Sequence, residues 1–545
     1  MEIRRLVESK GLQLDPAITE LRPEQGDAIE WANSRPEPYL FINAPTGSGK
    51  TLLLGGYGLL SHQKWTYLVH TIRLQEQVAR TFPGLPVLTG RANHPCEIGL
   101  ETHNRPDITA AEAICAAGEW CEWSGREPRK DEDGQPDPGD LERLEAHLRE
   151  TGGLVCSYYR TRDAALTADY RTTNYAYYLA DSRRLSAVTG VLLCDEAHNI
   201  EDAVCNHGQQ QLYRRTYGRL GLRLPSSRYL ADWGKWAKEA TLGKPDGGRV
   251  KPDLGYVKVR RQLDVIGKLG SKDQGDWLVE DVDGGVRFTP IWGAPLVMPR
   301  LLGHDRNILD FSRGVGKAVF TSATLMGAEF IADMLGFPDG TWAYLDIPGV
   351  FPADRRPINF APVMRMNAKT MADAAGRQKM QEAVDGLIDR YIGSGVRGGL
   401  IHAVSKTYAN LLLTESRWRE ILTSDAVEHE KRVRAGGVSV LVAYNLVEGW
   451  DGADDLCRFI VFPKVPYATL TDARTSLRRQ EDPRTYDHSA LTAIVQGAGR
   501  GMRHKEDWCD TWILDESWMF LFRKRKSWLP VSFLDAYHHG VALPS

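Results

Sequence analysis

The chain has 545 residues, of which 42% are hydrophobic and 26% charged, and its formal net charge is -3 at pH 7. This length and mixture predict two or three packed domains and exclude a disordered or fibrous protein. The charged N-terminus lacks a signal-peptide pattern and no run approaches a membrane span, so we expect a cytoplasmic protein with no membrane partner.

Short apolar runs alternate with helical patterns along the chain. The predicted strands are YLFI (39–42), TYLV (66–69), GVLLC (190–194), AVFT (318–321), GGLIHAV (398–404), VSVLVAY (438–444), CRFIVF (457–462) and DTWIL (510–514). Such runs are typical of buried parallel strands, and a Gly- and Pro-rich stretch near residue 345 divides them into two α/β lobes. The long gaps on either side of GVLLC each predict an insertion in the first lobe.

The first predicted strand leads into APTGSGKT (44–51), and a helical pattern follows. A strand, a Gly-rich turn, Gly-Lys-Thr and a helix are the context of a phosphate-binding loop, although Ala44 stands where the strict pattern has Gly. Lys50 is predicted to neutralise the β- and γ-phosphates and Thr51 to bind Mg²⁺. The predicted nucleotide-binding residues of the loop are Thr46, Gly47, Ser48, Gly49, Lys50 and Thr51.

The third predicted strand ends in CDEAHNIED (194–202). An acidic pair at the carboxyl end of a buried strand, beside a phosphate loop, predicts that Asp195 holds Mg²⁺ and that Glu196 orients or deprotonates the attacking water. A DEAH tetrapeptide alone is weak evidence because acidic residues often cap helices. Together with the loop it indicates a nucleotide-hydrolysing site.

An ordered series of motifs makes the chain resemble the XPD/DinG family of iron-sulfur superfamily 2 DNA helicases. Besides the loop and DEAH, the motifs are RPEQ (22–25), HTIRLQEQ (70–77), TSATL (321–325), VEGWDG (447–452) and QGAGRGMRHKED (496–507). The resemblance implies two RecA-like P-loop lobes, the first carrying an iron-sulfur insertion and a mainly helical arch insertion. It also implies that Gln25 approaches the adenine, that Glu448 and Asp451 belong to the nucleotide site, and that Ser322 and Thr324 link ATP to nucleic acid.

The domain boundaries follow from the order of these motifs. We expect the first lobe at 1–95, 157–204 and 311–345, the iron-sulfur insertion at 96–156, the arch insertion at 205–310 and the second lobe at 346–545.

The last motif contains two arginines three residues apart, Arg500 and Arg503. On a helix they would share one face and could reach from the second lobe to a γ-phosphate held by the first. As arginine fingers they would stabilise the transferring phosphoryl group, with Gln496 of the same motif as a third catalytic residue. ATP would then close the cleft between the lobes and hydrolysis would open it.

Four of the eight cysteines, Cys96, Cys115, Cys121 and Cys156, lie between the phosphate loop and DEAH. A reducing compartment argues against disulfides, which leaves metal binding, catalysis or packing. The cysteines are separated by 18, 5 and 34 residues, without the paired C-x₂-C knuckles of structural zinc. The resemblance implies a [4Fe-4S] cluster, with zinc and free core cysteines as the alternatives.

The segment 214–272 carries fifteen Lys and Arg against five Asp and Glu, with aromatic residues between them. This composition suits phosphate contacts and base stacking, or a solvated helical face. The expected partners are single-stranded DNA and duplex junctions, with RNA possible, and the expected motor is a monomer whose loading partner is unknown. The family implies an ATP-dependent helicase of 5′-to-3′ polarity; a translocase without strand separation and a nucleic-acid-binding redox sensor are the alternatives.

Overall fold

The structure is a computed structural model that describes residues 3–98, 108–117, 120–128, 130, 135–242, 254–304, 314–444, 450 and 452–543. In these residues the chain forms two seven-stranded sheets and one three-stranded sheet. None of the helices in these ranges combines the length and the apolarity that a membrane crossing needs.

The strands are β1 Tyr39–Asn43, β2 Trp65–Val69, β3 Val87–Leu88, β4 Tyr170–Asn174, β5 Val191–Cys194, β6 Gln210–Tyr213, β7 Trp277–Val282, β8 Gly285–Pro290, β9 Lys317–Ser322, β10 Trp342–Asp346, β11 Ile358–Met364, β12 Gly398–His402, β13 Leu422–Thr423, β14 Ser439–Ala443, β15 Phe459–Phe462, β16 Asp510–Asp515 and β17 Tyr537–His539.

The helices are α1 Ile3–Ser9, α2 Pro23–Ser34, α3 Lys50–Leu60, α4 Ile72–Thr81, α5 Ile114–Ala117, α6 Pro138–Thr151, α7 Ser157–Thr167, α8 Tyr175–Ala180, α9 Ser182–Ala187, α10 Ile200–Gly208, α11 Arg214–Arg219, α12 Leu230–Glu239, α13 Leu254–Leu269, α14 Ala294–Val297, α15 Ala328–Leu335, α16 Ala368–Ala372, α17 Ala374–Gly393, α18 Lys406–Glu415, α19 Ala426–Arg434, α20 Ala473–Glu481, α21 Arg484–Ala498, α22 Ser517–Arg525 and α23 Val531–Leu534.

The first sheet is parallel throughout, in the order β10-β1-β9-β5-β2-β4-β3. A hydrophobic core covers each of its faces. The parallel order brings the carboxyl ends of β1, β5 and β9 to one edge, so the phosphate loop, DEAH and TSATL segments start side by side. The second sheet, in the order β13-β14-β12-β15-β16-β11-β17, is also parallel and covered on both faces. The predicted α/β fold with two lobes is confirmed.

Each predicted run contains a strand, but the sheets also contain strands that the apolar pattern did not indicate. β4 reads YRTTN and is nevertheless buried at its centre. The Arg171 side chain donates to the Ala165 carbonyl at 2.7 Å and to the Val188 carbonyl at 3.0 Å. Because its polar groups are paired in this way, a polar segment can occupy the interior of the sheet.

The boundary between the lobes lies slightly beyond its predicted position. β10 falls inside the Gly- and Pro-rich stretch and pairs with β1 at the edge of the first sheet. The predicted division between residues 345 and 346 therefore cuts β10 before its last residue. The second sheet begins with β11 at Ile358.

The second insertion is mainly helical, as predicted, and also carries a small sheet. It contains α11, α12 and α13 together with an antiparallel sheet in the order β6-β8-β7. α12 and α13 approach closely at Gly234 and Gly270, where a Cβ on Gly234 would lie 2.5 Å from the Gly270 Cα. The two insertions also touch, because Arg261 of α13 donates to the Ala116 carbonyl of α5 at 3.4 Å.

Candidate nucleotide site and cysteine cluster

The loop between β1 and α3 is shaped by two glycines with left-handed backbone conformations. Gly47 has a φ of +82° and Gly49 a φ of +73°. A Cβ on Gly47 would lie 2.4 Å from the Phe351 ring, and one on Gly49 would lie 2.3 Å from the Gln25 amide nitrogen. Only glycine fits both positions. The turn and the N-terminus of α3 form the anion-binding shape expected for a phosphate loop.

Gln25 braces this loop. Its amide donates to the Ser48 carbonyl at 2.8 Å and to the Gly49 carbonyl at 3.3 Å, while its side-chain oxygen accepts from the Arg22 N–H at 2.9 Å. The structure therefore engages Gln25 with the loop backbone, and its contact with an adenine stays a prediction. The Ser48 hydroxyl is buried without a hydrogen-bond partner among the described residues.

The acidic pair follows β5 and faces the loop. Asp195 is buried and accepts from the Tyr67 hydroxyl at 2.9 Å and from the Thr321 hydroxyl at 3.3 Å. Thr51 lies beside the same Tyr67 hydroxyl. Glu196 has a φ of +49°, an uncommon conformation for a non-glycine residue, and such strain is found at functional sites.

The acidic pair and Lys50 at the end of the phosphate loop carry opposite charges and lie close together. The Lys50 Nζ lies 3.5 Å from the Glu196 carboxylate. Burial would lower the pKa of Lys50, but Glu196 and Asp195 outweigh it and raise that pKa. Burial also raises the pKa of Asp195, whereas for Glu196 the charges of Lys50, His198 and Arg500 overcome burial and lower the pKa. Glu196 therefore stays ionised at neutral pH.

The second lobe reaches this site through Gln496 at the end of α21. The Gln496 amide nitrogen lies 2.8 Å from His198 Nε2 and 3.4 Å from the Thr324 hydroxyl, and His198 Nδ1 lies 2.7 Å from the Ser322 hydroxyl. These contacts join the DEAH and TSATL segments of one lobe to the other. His198 was not among the predicted site residues, although its position within DEAH could have indicated it.

The two arginines lie beside the site but not on a shared helix face, so that prediction is wrong. α21 ends at Ala498, Arg500 lies in a 3₁₀ turn at Gly499–Gly501, and Arg503 follows that turn. The glycines disfavour continuation of the helix. The charge of Arg500 lowers the pKa of Glu196, and that of Arg503 opposes protonation of Lys50. Within the second lobe, the Arg500 guanidinium donates to the Trp450 carbonyl at 3.2 Å and that of Arg503 donates to the Gly499 carbonyl at 3.0 Å. Their role as arginine fingers stays a prediction.

The remaining predicted nucleotide residues have different outcomes. Thr46 lies against the second lobe, since a Cβ on Gly499 would be 3.2 Å from its hydroxyl. Glu448 and Asp451 lie outside the described residues.

The four cysteines predicted as ligands lie in one hydrophobic cluster in the first insertion and are buried, with exposures of 5–7%. Arg91 donates to Cys115 Sγ at 2.8 Å, and the Cys156 N–H donates to the Trp123 carbonyl at 3.0 Å. Burial raises the pKa of Cys121 and Cys156, and the nearby Cys115 contributes to that rise. Four buried thiols in one cluster, with a cationic neighbour, suit a metal centre.

The type of metal stays a prediction. Among the described residues, no three of these thiols lie within 4.8 Å of one another. A structural zinc site and a [4Fe-4S] cluster both take four cysteine thiolates. Burial raises the pKa of Cys121 and Cys156, so a bound metal would have to displace protons.

A cavity of about 420 Å³ lies between the lobes, next to His198 and Gln496. His488 of α21 lines it, and the Nε2 atom of His488 is buried without a hydrogen-bond partner among the described residues. Burial, helped by the charges of His198 and Arg478, lowers the pKa of His488 to about 4.

This pKa predicts an acid-sensitive fold. Because the unfolded chain binds a proton near pH 6.5 and the folded chain only near pH 4, stability is present above pH 6.5 and is lost as the pH falls toward 4. We expect about 2 kcal/mol of the free energy of unfolding to be lost from this group between pH 7 and 5. The fall in melting temperature over this range should be smaller in His488→Phe and unchanged in the exposed control His538→Gln; an equal fall in His488→Phe would contradict the assignment.

Two family models match the chain. DEAD_2 matches residues 91–216, which contain the four cysteines and the acidic pair, and the Helicase C-terminal domain matches residues 406–532, which contain Gln496 and the two arginines. Comparison with curated protein sequences gave no match.

The solved structures that share the fold include three that are described as XPD proteins. An XPD helicase is 16% identical, with a TM-score of 0.56 and coverage of 94% of this chain and 98% of that one. An apo XPD structure is 16% identical, with a TM-score of 0.53 and coverage of 93% and 98%. Xpd4 of S. tokodaii is 12% identical, with a TM-score of 0.51 and coverage of 92% and 97%. With DEAD_2 matched at residues 91–216, the Helicase C-terminal domain matched at residues 406–532 and the fold shared along almost the whole chain, the protein is similar to XPD helicases.

Proposed function

We propose that the protein is an ATP-dependent DNA helicase that moves along single-stranded DNA in the 5′-to-3′ direction and carries a [4Fe-4S] cluster. The observation that carries the proposal is the contact between the lobes at the nucleotide site. Gln496 of the second lobe lies 2.8 Å from His198 of the first, and the charge of Arg500 acts on Glu196. A site that needs both lobes couples hydrolysis to their relative motion.

Each side chain then has a defined task in hydrolysis. The loop glycines and the N-terminus of α3 bind the phosphates, and Lys50 neutralises the β- and γ-oxygens. Thr51 and Asp195 would hold Mg²⁺, which neutralises phosphate charge when bound. Glu196, ionised at neutral pH, orients the attacking water and accepts its proton. Arg500 and Arg503 stabilise the charge that develops on the γ-phosphoryl group.

The network around His198 carries the nucleotide state into the second lobe. His198 binds Ser322 with one ring nitrogen and lies against Gln496 with the other. A shift of Glu196, which is 3.4 Å from the His198 ring, therefore alters the contact with α21. Closing and opening of the cleft through these contacts would move a nucleic-acid strand across the two lobes.

The cysteine cluster would hold the iron-sulfur group through Cys96, Cys115, Cys121 and Cys156. Four buried thiols in one cluster have the number and the chemistry of the ligands of a four-iron group. When bound, such a group supplies cross-links among four chain segments that have only a small hydrophobic core of their own.

The proposed strand path runs beside the two insertions. α12 and α13 border a groove of about 710 Å³ whose lining includes Lys238, Tyr256, Arg260 and Lys268. Cations beside an aromatic ring suit the backbone and bases of a single strand. The Arg261 guanidinium also donates to the Ala116 carbonyl, which connects this insertion to the cluster insertion beside the proposed path.

One assay tests the proposal. Purified protein is given ATP and Mg²⁺ with duplexes that carry a 5′ or a 3′ single-stranded tail, in DNA and in RNA, and iron and sulfide are measured on the same sample. We expect DNA unwinding from the 5′ tail only and faster ATP hydrolysis with single-stranded DNA. Faster hydrolysis without unwinding would favour a translocase, binding without hydrolysis would favour a redox sensor, and preference for RNA would overturn the DNA assignment.

A further inference from the structure

Two chain segments connect the second insertion to the first lobe, and both contact the same helix of the second lobe. α10 leads from DEAH into the insertion and carries Glu201, and residues 291–293 lead back out of it. α20 of the second lobe contacts both connections through Arg474 and Arg478. The base of the insertion thus touches both lobes, although its chain connections are to the first lobe alone.

Glu201 is the centre of these contacts. Its side chain is 5% exposed and accepts from Arg474 at 3.0 Å and from Arg478 at 3.1 Å. It also accepts from the Gly293 N–H at 3.0 Å. The carboxylate therefore binds the second lobe and the returning connection at the same time. Separation of the buried Glu201 carboxylate from the two guanidinium groups is strongly unfavourable, because it would leave a buried charge unpaired.

The returning connection is also held directly by α20. The Trp292 indole donates to Glu481 at 2.5 Å, and the Arg478 guanidinium lies 4.6 Å from the centre of the Trp292 ring. Arg474 donates to the Ile291 carbonyl at 3.2 Å. These contacts span the length of α20 and would transmit a rotation of that helix to the insertion.

We propose that Glu201, Trp292, Arg474 and Arg478 form a junction that makes the second insertion follow the second lobe when the cleft closes and opens. The buried carboxylate acts as the fixed point, and rotation of α20 about it tilts the segment 291–293. Because Glu201 lies six residues after Asp195 on the same chain segment, this fixed point is close to the nucleotide site. The junction rests on the proposed function, since it needs nucleotide to move the lobes.

The test measures two distances in the full chain. The eight native cysteines are buried, so probes can be attached to cysteines introduced at exposed positions. Probes at Glu8→Cys in the first lobe and Glu415→Cys in the second lobe report closure of the lobes. Probes at Glu8→Cys and Ser271→Cys report movement of the second insertion relative to the first lobe. Both distances are measured by pulsed electron spin resonance, without nucleotide and with ADP, beryllium fluoride and Mg²⁺.

We expect nucleotide to change both distances in the parent protein. Trp292→Ala leaves the ion pairs of Glu201 in place. In this variant the nucleotide-dependent change in the distance from position 8 to position 271 should fall by about twofold or more, while the change in the distance from position 8 to position 415 persists. Arg478→Gln should act in the same direction, and Gln480→Ala, on the exposed side of α20, should behave like the parent. Melting temperatures identify a variant that is unfolded.

The two proposals fail in different ways. If nucleotide leaves the lobe distance unchanged in the parent protein, the proposed closure is wrong. If the lobes close but the insertion does not move, or moves equally in Trp292→Ala and Arg478→Gln, the junction does not transmit the motion.

Discussion

Replacing Lys50 with alanine is expected to lower nucleic-acid-stimulated ATP hydrolysis about a thousandfold. The ammonium group lies 3.5 Å from Glu196 at the start of α3, where its charge would meet the β- and γ-phosphates. Without it, the charge developing on the phosphoryl group lacks a partner, and Glu196 loses the first of the charges that lower its pKa. Steady-state hydrolysis at saturating single-stranded DNA measures the effect.

The same variant separates the motor from nucleic-acid binding. Lys50 is remote in sequence from the basic second insertion, so DNA affinity without nucleotide should stay within about twofold of the parent value. Lys64→Ala is the control, because that lysine forms an exposed ion pair with Asp169 at 3.0 Å and should change neither activity. Hydrolysis in Lys50→Ala within about tenfold of the parent would reject the assigned site.

Replacing Cys115 with serine is expected to abolish iron binding and to reduce unwinding far more than basal ATP hydrolysis. Cys115 accepts a hydrogen bond from Arg91 and contributes to the raised pKa of Cys121 and Cys156. Removal of one of four thiolates leaves an incomplete ligand set, and the insertion then depends on a small hydrophobic core. The nucleotide site lies on the first sheet, outside this insertion, so hydrolysis should persist.

Iron and sulfide content is the direct measurement for this variant, and a strand-displacement assay follows it. Cys509→Ala is the control for metal content, because Cys509 is buried in the core of the second lobe. Equal loss of hydrolysis and unwinding in Cys115→Ser would indicate general misfolding. A colourless parent protein that contains zinc and unwinds DNA would reject the iron-sulfur assignment.

The predictable parts of the molecule are those in which local sequence and buried environment agree. Buried parallel strands need continuous apolar side chains, so runs such as YLFI and AVFT indicated β1 and β9. The loop at 44–51 was recognisable because its glycines serve a local backbone conformation. β4 was missed since its polar side chains become buried only with partners such as Ala165 and Val188, which are contributed by other segments.

The amino-acid sequence alone determined the two-lobed α/β fold, the phosphate loop and the order of the motifs, because each depends on residues close together in the chain. Only the tertiary structure decided that Gln496 meets His198 across the cleft, that the arginines project from a turn, and that Glu201 joins three parts of the molecule. Gln496 and His198 are 298 positions apart and Arg474 and Glu201 are 273 apart, so these contacts depend on how the two lobes pack against each other.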